Sequence, residues 1–465
     1  MKAHLNNDSA KGSVLLVAVI SSFLTPFMGS AINLALPAIG KEYNADAILL
    51  GWIATAYLLS SAVFLLPFGR LADIYGRKKI FLAGMIIFTI ASLFSSVAPD
   101  IRILLGFRVL QGMGSSMIFA TGIAIVTSVF PPEERGKAIG FAIASVYAGL
   151  SFGPFAGGLL TEYLGWRSIF IFTVLLGCIG IYFVIRRIRG EWAEAGGEPF
   201  DLRGSFIYGI SLFLLIYGLS LLPDTGGFLL LAFGAAGILF FIWFELRHKY
   251  PVMQLRLFKN NAVFAWSNIA ALINYSATFA VTFILSLYLQ YTKDFSPRDA
   301  GLILVSQPVI MALVSPLAGR LSDRIEPRLL ATAGMAVTSL GLFFLVFVDN
   351  MNIPLIIATL ILLGTGFGLF SSPNSNAIMS SVSRKYYGIA SGTMGTMRLL
   401  GQMFSMGIVM LIFSMFLGRV PVDEQNIPEF LQGIKVAFSM FFIFCFIGIF
   451  ASYSRGRIHK HKVRN

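Results

Sequence analysis

The stretch Pro67-Phe-Gly-Arg-Leu-Ala-Asp-Ile-Tyr-Gly-Arg-Lys-Lys79 carries charge between two long apolar runs, and its reading decides the fold. A second copy runs Pro316-Leu-Ala-Gly-Arg-Leu-Ser-Asp-Arg-Ile-Glu-Pro-Arg328. Both contain Gly-Arg-Leu-x-Asp, and Gly69 and Gly319 lie 250 residues apart. A charged pentapeptide repeated at matching places in an apolar chain predicts internal duplication, a common origin of membrane transport proteins. The stretch is expected to form a short loop at the membrane surface. Gly69 would let a helix end turn or pack closely. Asp73 would sit near the start of the next helix, facing its free N–H groups or a nearby arginine. Arg77, Lys78 and Lys79 would hold the loop in the cytoplasm. The second copy keeps Asp323 in place of Asp73 but has Glu326 where the first has Gly76.

Composition places these loops in a membrane protein. The chain of 465 residues is 57% hydrophobic and only 12% charged, with mean hydropathy +0.80. A soluble domain carries about 25% charged residues. Long continuous apolar runs argue for helices over a β-barrel. Hydropathy predicts fourteen spans, near 13–36, 48–68, 80–98, 103–129, 138–161, 168–185, 204–222, 227–246, 262–289, 300–318, 329–348, 353–379, 387–417 and 431–453. The first run is too long for a signal-peptide core and is expected to remain as span 1.

An even number of spans puts both termini on one side. With the termini inside, cytoplasmic segments hold 26 of the 35 Lys and Arg, as the positive-inside rule requires. The net charge of +13 thus reports topology, and no nucleic-acid partner is implied. Cys178 and Cys445 lie in apolar runs and offer neither a disulfide framework nor a metal site. All four histidines lie outside the spans, and no cofactor is implied.

The repeat fixes the expected organisation. Gly69 lies 56 residues after the start of span 1, and Gly319 lies 57 after the start of span 9. Residues 1–186 would form one six-helix half and 262–453 the other. Linkers at 187–203 and 247–261 would flank a two-helix insert at 204–246, and 454–465 would be a basic cytoplasmic tail.

Span 4 contains Arg108-Val-Leu-Gln-Gly-Met-Gly114. Arg108 either snorkels to the surface or faces a path between the halves, since intramembrane charge usually marks a pathway. Gln111 is one turn on and can share its face. Span 5 reads Gly149-Leu-Ser-Phe-Gly153-Pro154-Phe-Ala-Gly157-Gly158. Glycines four apart make a groove for another helix, and Pro154 removes the backbone bond to Leu150 and permits a bend.

These motifs together resemble the major facilitator superfamily. The Gly69–Lys79 stretch is similar to its loop signature, and Arg-x-x-Gln-Gly to its span-4 signature. The span-5 pattern resembles the antiporter motif of its exporters. Trp166-Arg-Ser-Ile-Phe170, Tyr288-Leu-Gln290 and Ser296-Pro-x-x-Ala-Gly301, with the 6+2+6 layout, resemble its fourteen-helix drug:proton antiporter branch. The resemblance implies an all-α major-facilitator fold and no enzymatic activity. It also implies alternating access, a small-molecule substrate, and protons as one candidate coupling ion. Spans 1, 4, 9 and 12 would line a cavity, with Asn33, Gln111, Asn268, Asn274 and Asn376 as candidate contacts and Arg398 on span 13 as a second cation.

One departure bears on substrate and coupling. The branch commonly carries an acid nine residues before the terminal proline of span 1; here that position is Met28. The acids fall in loops or at span ends. Two readings follow: an exporter of amphipathic or hydrophobic compounds, or an exporter of organic anions or metabolites held by Arg108, with Arg398 as a further candidate and coupling other than by an intramembrane carboxylate. A membrane sensor of the same fold is a more remote expectation.

Overall fold

Within a bilayer no water is available to the backbone, so each N–H and C=O must be bonded inside its own segment. About 20 residues of helix then cross the hydrocarbon. The computed structural model describes residues 8–456 apart from 131, 189, 194, 323, 384–386, 419, 423 and 424, and those residues form helices without strands. Among the described residues, fourteen helices are long and apolar enough to cross a membrane: Lys11–Tyr43, Ala47–Tyr75, Arg77–Ser96, Ile101–Val129, Gly140–Leu164, Arg167–Arg187, Leu202–Leu221, Thr225–Arg247, Ala262–Tyr291, Pro297–Ser322, Pro327–Leu345, Ile353–Ser380, Ile389–Phe416 and Ile427–Ser454. They are spans 1 to 14, and each coincides with an expected one.

The charged stretch differs from expectation. It is not a loop: span 2 continues through Pro67, Gly69 and Asp73 to Tyr75. Only Gly76 interrupts the helix, at φ +116°, where a side chain would be strained. Gly69 therefore makes no turn, and a Cβ there would meet Ala120 of span 4 at an ordinary 3.8 Å. At Gly319 the approach is closer, because a Cβ would lie 2.6 Å from Ser372 Oγ. Asp323 lies outside the described residues. Span 1 likewise runs past its expected end, through Pro37 to Tyr43.

Two later spans are broken. Span 9 comprises Ala262–Thr278 and Ala280–Tyr291. Span 10 comprises Pro297–Leu304 and Ser306–Ser322. Pro308 has no N–H to return to Leu304, which accounts for the second break.

Apolar side chains gain little by leaving lipid for another helix, so close backbone approach has to hold spans together. Span 5 uses two faces for this. Gly149, Gly153 and Gly157 press on span 1, where added Cβ atoms would meet Phe23 O at 2.5 Å, overlap the Ser30 hydroxyl, and meet Ala31 O at 2.7 Å. On the other face Gly158 lies against the Pro297 carbonyl, and Gly301 of span 10 against the Pro154 carbonyl. Nearby, Ser286 Oγ of span 9 donates to Asn33 O of span 1 at 2.7 Å. Met410 of span 13 fills the space beside Gly51 of span 2. These contacts join spans 1–6 to spans 9–14 at one end of the bundle, the junction end, where spans 1 and 2 connect. The other end carries segments 188–201 and 248–261 and is the linker end.

Spans 7 and 8 pair with each other, and span 7 leans on spans 2 and 13. Tyr208 donates to Ala62 O at 3.2 Å, and Ser414 to Leu222 O at 2.7 Å. Span 8 shows Phe233, Leu239 and Phe240 on its outer surface, as a lipid-facing helix should.

Replacing Gly153 by leucine should push span 1 away from span 5. Overpacking of this kind costs about 1–3 kcal/mol or more. The expected outcome is a lowered melting temperature of the detergent-purified protein and loss of transport; unchanged melting would contradict the close contact.

Candidate functional site

Arg108 is fully buried in span 4. Its Nε donates to Ile53 O at 2.9 Å, and Nη1 donates to Gln111 Oε1. Its guanidinium stacks 4.5 Å above the Tyr57 ring, and Gln111 passes the chain on to Ser92 Oγ at 2.7 Å. The expected Arg108–Gln111 pairing is therefore present, but it points into spans 2 and 3. Nη2 alone is left without a hydrogen-bond partner among the described residues. As placed, Arg108 clamps three helices of one set.

Arg398 sits differently. It is only partly buried, and its guanidinium lies 4.4 Å from the Phe119 ring of span 4, across the seam between the two sets of spans. Its Nε is shielded from solvent and has no hydrogen-bond partner among the described residues. Beside it the Tyr275 hydroxyl of span 9 lies within interaction range of Arg398, Ser371 and Tyr147. Tyr147 Oη of span 5 is 3.5 Å from Ser371 Oγ of span 12, and Phe367 meets Tyr275 edge-on at 5.4 Å. Arg108 of span 4 and Arg398 of span 13 both lie well inside their helices, so the middle of the bundle carries two cations.

The remaining candidates do not converge on this point. Asn33 is buried near the junction end, with Oδ1 unpaired among the described residues. Asn268 bonds back to Phe264 O at 2.9 Å, and Asn376 donates to Ser322 Oγ at 2.9 Å. Asn274 is fully buried with neither side-chain atom paired among the described residues. Met28 is packed inside, where its Sδ accepts from Thr173 at 3.6 Å.

At the linker end the charged stretch is clasped by the segment that follows span 6. Asp73 Oδ1 accepts from Arg77 Nη2 at 2.9 Å and Nε at 3.1 Å, and Arg77 Nη1 reaches Ser128 Oγ at 3.1 Å. Asp73 thus ends span 2 rather than capping span 3. The cap is Glu191, whose carboxylate accepts from the Lys78 and Lys79 amides at 2.8 and 3.2 Å and occupies the space a Gly76 side chain would need. Backbone bonds from Arg77 N to Trp192 O and from Ala195 N to Asp73 O, each 2.9 Å, close the clasp. An Arg70–Glu198 ion pair flanks it. At the junction end, Trp166 and Arg167 donate to Glu42, tying the start of span 6 to the end of span 1.

Comparison with known proteins accords with this architecture. The sequence pattern described as Major Facilitator Superfamily matches residues 18–406. The chain belongs to the Major Facilitator Superfamily. It is 30% identical to riboflavin transporter RibZ of Clostridioides difficile (strain 630), over 94% of this chain and 96% of that protein. It is 30% identical to multidrug resistance protein Stp of Mycobacterium tuberculosis (strain CDC 1551 / Oshkosh), over 86% and 76%. Against cephamycin export protein CmcT of Amycolatopsis lactamdurans it is 30% identical over 88% and 86%. A bacterial homologue of the human lysosomal transporter Spinster, solved inward-facing and unoccupied, superposes with TM-score 0.68 at 17% identity, covering 97% of this chain and 98% of that one. At that identity the likeness is one of fold. The chain is a multi-pass membrane transporter.

Glu191→Ala should remove the cap of span 3, an interaction worth about 0.5–2 kcal/mol. Glu198→Ala should remove only a partly exposed ion pair, worth about 0–1 kcal/mol. Thermal unfolding of the two variants should therefore fall in that order, with Glu191→Ala the lower. Equal melting of Glu191→Ala and wild type would contradict the cap.

Proposed function

We propose that this protein is a secondary active exporter of small amphipathic or hydrophobic compounds, working by alternating access with both termini in the cytoplasm. Spans 1–6 and 9–14 are the two moving bodies, and the 204–246 insert is an accessory pair. The observation that carries the reading is span 5: the exporter-like glycines that bind it to span 1 continue into the glycine contact with span 10. The same helix therefore builds one body and seals the seam at the junction end. Among the relatives, CmcT, an export protein by name, supports the same direction, and Stp, a multidrug resistance protein by name, supports a hydrophobic or amphipathic substrate; RibZ, a riboflavin transporter by name, supports a planar aromatic substrate.

Proton coupling through a mid-membrane acid lacks support, because Met28 is a packed residue where the branch commonly has the acid. The second reading, export of organic anions, is favoured by the Arg398 guanidinium, which has no carboxylate partner among the described residues.

Uptake into inside-out vesicles, with the pH gradient and membrane potential clamped separately, tests export and identifies its driving force. Uptake of amphipathic compounds that depends on the protein and on either gradient is the expected outcome; binding without uptake under both gradients would indicate a sensor. In this assay Asp73→Asn should slow transport at least tenfold at equal expression, because the Asp73–Arg77 pair orders the gate at the linker end. Wild-type rates in Asp73→Asn would remove Asp73 from the gate.

A further inference from the structure

We propose that Arg398, Tyr275, Ser371 and Tyr147, with Phe119 as a platform, form a subsite for the anionic group of an aromatic substrate. The inference deepens the export reading and rests on it for transport, though not for binding. Arg398 is partly buried at the seam, without an ion-pair partner among the described residues and with an Nε that is shielded from solvent and has no hydrogen-bond partner there. A guanidinium offers a planar fork that fits a carboxylate in two-pronged fashion. The neighbouring groups from spans 5, 9 and 12 are hydroxyls, which can donate to the same anion and carry no competing negative charge. Phe119 beneath the guanidinium and Phe367 against Tyr275 supply flat apolar walls.

Arg108 adds a second positive charge near Tyr57. With two cations and no acid in the middle of the spans, the seam repels an organic cation and attracts an anion. The two arginines divide the work. Arg108 is consumed by Ile53, Gln111 and Tyr57 inside one set of spans. Arg398 stands between the sets, partly exposed, with an Nε that has no hydrogen-bond partner among the described residues. Substrate charge is therefore read by Arg398, and Arg108 sets the shape of spans 2–4.

The test measures binding to the full-length protein in nanodiscs of three matched probes: naphthalene-2-carboxylate, its neutral amide, and 2-naphthylmethylammonium. Wild type should bind the carboxylate at least tenfold more tightly than the amide, and the ammonium most weakly. One charge-assisted hydrogen bond corresponds to roughly ten- to a hundredfold in affinity. Arg398→Gln should erase the preference, and Arg398→Lys should weaken the carboxylate about tenfold while leaving the amide unchanged. Arg108→Lys should alter all three probes equally, as a positioning residue would. A carboxylate bound no more tightly than the amide, including no binding of any probe, overturns the subsite; so does a preference that survives Arg398→Gln. Vesicle uptake separates the two proposals. Export of the neutral amide without a carboxylate preference would remove the subsite and leave the export reading. Arg398-dependent binding without uptake of any probe would do the reverse.

Discussion

Close backbone contact along span 5 is the constraint on which the rest of the arrangement depends. Its two glycine faces let carbonyls of span 1 and span 10 approach where any side chain would collide. In a bilayer such contacts stand in for the hydrophobic drive that packs soluble helices, since lipid is as apolar as the side chains it replaces. Span 5 thereby packs on span 1 through Gly149, Gly153 and Gly157 and on span 10 through Gly158 and Gly301. One helix thus carries a close seam inside one set of spans and a second seam between the sets.

The linker end is built by a different device. A one-residue break at Gly76 leaves the first amides of span 3 open, and the segment after span 6 supplies a carboxylate to them. The charged stretch is thus fastened to its own set of spans by Glu191, by two backbone bonds and by the Arg70 pair. Asp73 is left to Arg77, and that pair reaches span 4 through Ser128. The charged stretch and the linker are thus joined through Glu191, Trp192, Ala195 and Glu198.

Much of this was legible in the sequence. The fourteen spans follow from length and hydropathy alone, and the glycine spacing in span 5 announced a close helix contact before any partner was visible. Other features were not legible for physical reasons. A helix apolar on all sides carries no moment that sets its rotation; the Arg108–Gln111 spacing gave their shared face but not that it points toward Ser92 and Tyr57. Prolines end helices in water, yet neighbouring helices let spans 1 and 2 run through Pro37 and Pro67. Tyr147, Tyr275 and Ser371 were missed because hydroxyls in apolar runs look the same whether they pack or face a substrate. Glu191 was missed because its partners lie more than 100 residues away.

If alternating access operates here, the contact between spans 5 and 10 must open in every cycle. Tethering it tests that opening most directly. Tyr163 at the end of span 5 and Arg298 at the start of span 10 meet through their side chains, 3.2 Å apart, on the accessible surface of the junction end. Both can be changed to cysteine in a Cys178→Ser background, since Cys445 is buried and Cys178 is the exposed native thiol. A short reducible cross-linker joining positions 163 and 298 should stop uptake into inside-out vesicles, and reduction should restore it. Uptake at the full rate with the link quantitatively formed would contradict the opening of this seam.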